Sequence, residues 1–161
     1  MLFKDWSDKD HIVIVGTVRD GVPMSYEAGA FYKRELPLLL AVIDKSPMEI
    51  SAVVVDGYVW LGHEGQPGLG AHLYEAIERR TPVIGVAKTK YKDDTWSAPV
   101  LRGASRSPLY ITSVGIDRAE AAENVARMSG DGRMPKLLSR ADRRARMALG
   151  RTSGRPSNSG D

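Results

Sequence analysis

The chain has no cysteine among its 161 residues. That excludes disulfides and thiolate metal sites, and it fits a reduced, cytoplasmic setting. Histidine is sparse: the three are His11, His63 and His72, and none forms a His-x-x-His pair of the kind that holds zinc. No apolar run approaches the ~18 residues needed to cross a bilayer. The N-terminus MLFKDWSDKD lacks the basic-then-apolar pattern of a secretory signal. Aromatic residues make up only 7%, and no internal repeat is visible. What remains is ordinary for one globular domain, since 42% hydrophobic content over this length is enough for a core.

The net charge of +3 is small but unevenly spread. From Arg133 to Arg155 there are eight Lys or Arg against one acid, Asp142, a local +7 that leaves −4 on the rest of the chain. A basic terminal segment on a mildly acidic body suits a polyanion such as nucleic acid, or simply a solvated helix face with a polar tail. The final stretch, GRTSGRPSNSGD, has almost nothing to bury. Residues 149–161 are therefore expected to be a disordered basic and polar tail behind a domain over 1–148.

Hydrophobic periodicity gives the elements. HIVIVGTV (11–18) reads as a buried strand and ELPLLLAVI (35–43) as a buried helix. Pro37 confines the start of that helix to about Arg34 or Glu35. SAVVVDG (51–57) is a β-branched run of the kind covered on both faces of a sheet. Leu69, Leu73, Ala76 and Ile77 share one face of a helix over 69–79. Further strands follow at 82–86 and 109–114. Asp117 caps a helix to about Met128, and Pro135 starts a last helix to about Leu149.

Strands separated by a helix, with polar residues at their ends, place chemistry at the carboxyl ends of the strands. Asp56 ends one strand, Lys88 ends the next, and Glu35 opens a helix. Two carboxylates suit a hard divalent cation that takes its other ligands from water and phosphate. Each residue also has a plainer reading. Asp56-Gly57 makes a common turn, Glu35 is a first-turn acid favoured by the helix dipole, and Lys88 is a surface lysine. His72 lies beside the apolar stripe of its helix. The glycines at 57, 62, 65, 68 and 70 match neither a dinucleotide fingerprint nor a phosphate loop.

An ordered set of motifs resembles the endonuclease V family. It runs Tyr26-Glu27-Ala28-Gly29, Arg34-Glu35-Leu36-Pro37, Val55-Asp56-Gly57, Gly68-x-Gly70-x-His72-Leu73 and Pro82 through Lys88. It continues through Arg102-Gly103, Pro108 to Thr112 and Arg133-Met134-Pro135, so the likeness covers residues 1 to 146 or so. The resemblance implies an α/β, ribonuclease H-like mixed sheet flanked by helices. It implies Mg²⁺-dependent cleavage (Mn²⁺ as a substitute) of a phosphodiester near a deaminated base such as hypoxanthine. DNA, with RNA an alternative, is the implied partner, and DNA repair by a monomer the implied setting.

By position, Glu35 and Asp56 match the metal-binding carboxylates and Lys88 the cation near the scissile phosphate. Tyr26 to Gly29 resembles the wedge that fills the space of a flipped base. The loop from Gly57 to Gly70 is then a base pocket, with His72 and Arg102 also placed toward nucleic acid. The chain departs from the family in three places. The wedge lacks both family prolines. Gly115-Ile116-Asp117 stands where a histidine is expected, which makes Asp117 a substitute ligand or only a helix cap. The family's first, central strand, with its Asp, is not in this sequence. Either that strand lies upstream of Met1, or the chain is a weak or inactive, nucleic-acid-binding remnant.

Overall fold

The computed structural model describes residues 1–9, 11–14 and 32–152. Its elements in chain order are α1 (Tyr32–Asp44), β1 (Val53–Asp56), β2 (Trp60–Leu61), β3 (Gln66–Pro67), α2 (Leu69–Ala76), β4 (Val83–Ala87), β5 (Ala98–Val100), β6 (Leu109–Val114), α3 (Arg118–Arg127) and α4 (Lys136–Thr152). Four strands form one mixed sheet in the order β1-β4-β6-β5. β1 and β4 run parallel with Val53 opposite Val83 and Asp56 opposite Val86, while β6 is antiparallel to both β4 and β5. α2 makes the crossover that a parallel pair requires. β2 and β3 form a separate two-stranded hairpin.

Strand alternation divides the core in two. Val53, Val55 and Val83 join Leu69 and Leu73 of α2 and Ile77, its C-cap, in one cluster, against which Leu36, Leu39, Leu40 and Ile43 of α1 pack. Val54, Ile84 and Val86 point the other way, with Leu109, Ile111, Ala121, Val125, Met134 and Leu138. All five residues of β4 are buried, as expected for a strand covered on both faces.

Several boundaries differ from the sequence expectations. α1 begins at Tyr32 at the latest, so Pro37 sits inside the helix rather than in its first turn. Its missing N–H leaves the local ladder one bond short. The hairpin β2–β3 and strand β5 come from a stretch with too few consecutive apolar residues to signal a strand. α4 runs on to Thr152, through the first residues expected to be tail. Of the strand expected over 11–18, the described part makes only one bridge, Ile12 with Leu2, and Ile12 is 48% exposed rather than buried.

Among the described residues, β1 lies at the edge of the sheet. The N–H groups of Val53 and Gly57 bond the carbonyls of Pro82 and Val86. In a parallel ladder the intervening residues turn their backbone groups away, so Val54 and Asp56 face the open side of the edge. A cleft of about 720 Å³ occupies that side, between α1 and α4.

Candidate active site

Parallel pairing in register brings the ends of β1 and β4 together, and this assembles the site. Asp56 is the last residue of β1 and Lys88 follows the last residue of β4. Their side chains meet with Lys88 Nζ 3.9 Å from Asp56 Oδ2, both largely exposed. α1 lays Leu36, Leu39 and Leu40 on the core, and Glu35 lines the same cleft as Asp56 and Lys88. The Glu35 carboxyl titrates above the usual range, first because it is partly buried and second because the Asp56 charge lies nearby; Arg34 opposes the shift. Two carboxylates that repel one another beside a lysine form a site ready for positive charge.

Close backbone approach fixes the geometry behind Asp56. Gly57 has φ +140°, a conformation L side chains rarely adopt. The chain then crosses β4 at Gly85, where an added Cβ would lie 2.6 Å from the Gly57 carbonyl oxygen and 2.9 Å from the Val59 nitrogen. Thr112 of β6 accepts the Val59 N–H through Oγ1 at 2.8 Å. On the Lys88 side, the guanidinium of Arg133 donates to the Lys88 carbonyl and, at 2.6 Å, to that of Pro108. Arg133 therefore positions the lysine's backbone, a role its place in the sequence did not reveal.

The remaining candidates fall elsewhere. Asp117 caps α3, accepting from the N–H groups of Ala119 and Glu120 at 2.8 and 3.2 Å. β6 runs antiparallel, with Val114 opposite Val83 while Asp56 is opposite Val86. Three rungs, about 10 Å, separate those levels before the turn to Asp117 is added. Asp117 is at the wrong end of the sheet to share an ion with Asp56.

Arg102 is not a surface contact for nucleic acid: it is 6% exposed. Its guanidinium donates to the carbonyls of Ala126, Met128, Gly130, Gly132 and Arg133, holding the segment that carries Arg133. His72 stacks on Tyr32 at 3.5 Å between ring centroids, so it joins α2 to the start of α1. Of the loop from Gly57 to Gly70, only Leu69 lines the cleft. Gly68 and Gly70 serve packing, since a Cβ on either would strike Tyr58 or Val59. Tyr26 and Gly29 lie outside the described residues.

The Endonuclease V family profile matches residues 5–143. The chain belongs to the endonuclease V family. It is 30% identical to the Endonuclease V of Streptomyces avermitilis over 86% of this chain and 68% of that protein. A crystal structure of S. avermitilis Endonuclease V superposes with TM-score 0.62 at 28% identity, covering 80% of this chain and 64% of that one. The Ciona intestinalis enzyme, solved in complex with an inosine-containing DNA, shares the fold at 19% identity and TM-score 0.57, covering 76% of this chain and 63% of its own. The chain thus spans about two thirds of the length of the relatives it matches. Its mixed sheet flanked by helices is the fold of those endonuclease V structures.

The donor set fits the metal dependence general in the family. No group of three or more His, Cys, Asp or Glu gathers among the described residues, so a closed protein cage is not on offer there. Magnesium, though, is commonly held by one or two carboxylates with water and substrate phosphate. Glu35 and Asp56, whose charges disfavour one another, are a pair of the kind that such an ion takes.

Proposed function

We propose that this cleft carries out metal-assisted hydrolysis of a phosphodiester near a deaminated base, hypoxanthine being the base of inosine. The convergence of Glu35, Asp56 and Lys88 at one mouth of the cleft carries this reading. Glu35 and Asp56 would hold Mg²⁺, or Mn²⁺ in its place. The ion, when bound, would polarise the phosphodiester and lower the pKa of a water for attack. Lys88 balances the charge of Asp56 and, with a phosphate in the cleft, the charge that builds on its oxygens. Arg133 and the Gly57–Gly85 crossing keep the lysine and the carboxylate at their strand ends. Burial is the larger cause of the raised Glu35 pKa, and a cation would relieve the smaller one, the repulsion from Asp56. The inosine-containing DNA bound by the Ciona intestinalis relative supports the choice of lesion. The proposed setting is DNA repair by a cytoplasmic monomer.

A nicking assay on inosine-containing DNA and RNA with Mg²⁺ or Mn²⁺ tests the reading. Slow, metal-dependent cleavage is expected, abolished in Glu35→Ala and Asp56→Ala and lowered about 10²-fold in Lys88→Ala. Cleavage that survives both carboxylate substitutions would remove the site. A second reading, a non-catalytic binder, draws on the absence, among the described residues, of three or more His, Cys, Asp or Glu gathered to hold a metal ion. It requires nucleic-acid affinity without cleavage in the unaltered chain and in both carboxylate variants.

A further inference from the structure

The segment from Lys88 to Ser97, which follows the catalytic strand end, is held at nearly every turn. The Lys88 carbonyl accepts from Arg133. Tyr58 Oη donates to the Thr89 carbonyl at 2.9 Å and accepts the Tyr91 N–H at 3.0 Å, with the two tyrosine rings edge to face. Asp94, 6% exposed, accepts from the N–H groups of Trp96 and Ser97. Arg118 donates to the carbonyls of Thr95 and Trp96, and the Trp96 indole N–H bonds His63. A surface loop with this many anchors is preorganised.

What it displays is a row of cations with aromatic rings between and beyond them. Lys88, Lys90 and Lys92 are all exposed, Tyr91 is 44% exposed and Trp96 41% exposed. Asp93 is the one exposed acid within the row, and Asp94 is buried against Ser97. Lysines at alternate positions span at most about 14 Å from first to last Cα, long enough to meet consecutive phosphates. Cations interleaved with exposed rings are the composition that binds single strands by charge and base stacking. Because the loop is pinned, little further ordering is needed when it binds.

We propose that this loop is a docking track for a single nucleic-acid strand, leading its backbone to Lys88. Lys90 and Lys92 take phosphates, and Tyr91 stacks a base. The proposal deepens the reading of the cleft as a nuclease site and rests on it for the direction of the strand.

The test measures fluorescence anisotropy of a short fluorescein-labelled single-stranded DNA containing one inosine, titrated with the full chain without divalent metal at several salt concentrations. Lys90→Ala with Lys92→Ala should weaken binding and flatten the slope of log K against log salt by about 1.4, near 0.7 for each lost phosphate contact. Tyr91→Phe should bind as the unaltered chain does, while Tyr91→Ala should lose about tenfold with the slope unchanged. Thermal melts of the double lysine variant and of the unaltered chain should coincide, since Lys90 and Lys92 are exposed, and Tyr91→Ala is compared at a temperature where its melt shows it fully folded. An unchanged affinity and slope in the double lysine variant, or no binding by the unaltered chain, would overturn the proposal. Glu35→Ala and Asp56→Ala separate the two readings. If they spare cleavage while the lysine pair still sets the salt slope, the track stands and the nuclease site falls. If they abolish cleavage and the slope ignores the lysine pair, the site stands and the track falls.

Discussion

At the scale of single residues, the site is built against stability. Glu35 titrates above its ordinary value because folding partly buries it and brings it near Asp56. A carboxyl with a raised folded pKa binds its proton more tightly in the folded state. Folding is thus favoured below the unfolded pKa, and that advantage is lost as pH rises through the folded one. Without divalent metal, Glu35→Gln should therefore raise the melting temperature at pH 7 to 8, with the gain shrinking toward pH 4; differential scanning calorimetry across that range checks it. Adding Mg²⁺ should stabilise the unaltered chain more than the variant, because binding to the folded state alone adds stability. Arg102 shows the opposite use of charge. Five carbonyls of one segment accept from it, and its pKa is lowered by burial, so it is held in place by hydrogen bonds rather than by a counter-ion.

At the scale of elements, strand direction decides which polar residues meet. β1 and β4 run parallel, so their carboxyl ends, with Asp56 and Lys88, lie side by side. β6 runs the other way, and Asp117 leaves at the far end. Its work there is to cap α3, accepting the N–H groups of Ala119 and Glu120. Asp117→Ala should cost about 1 kcal/mol in a denaturant titration. It should leave the Mg²⁺ concentration needed for cleavage unchanged; a tenfold increase would restore Asp117 as a ligand. α1 carries Glu35 into the cleft by packing Leu36, Leu39 and Leu40, each partly buried, against the core.

At the scale of the whole molecule, the edge of β1 that is open among the described residues dominates. Val54 and Asp56 turn their backbone groups into a cleft whose walls include Leu38, Leu39, Leu69 and Met134. Apolar walls beside an unpaired edge favour small apolar ligands and further strands alike. The dye 1-anilinonaphthalene-8-sulfonate should therefore fluoresce with the fully native chain. Leu38→Glu, at a residue 38% exposed, should remove most of that signal without lowering the melting temperature. The family's central strand would lie beside β1, and among the described residues that side is the cleft. The sequence by itself determined the local elements: β1, α2, β4, β6 and α3 follow from apolar periodicity, and Asp56 and Lys88 stand at strand ends because the apolar runs stop there. Cap chemistry and glycine spacing were legible for the same reason, being properties of neighbours in the chain. Only the tertiary structure decided that Asp117 lies away from Asp56, that Arg102 is buried in carbonyls, and that Arg133 holds Lys88. Those facts depend on strand direction and on contacts between residues 24 to 45 positions apart, and no local pattern encodes them.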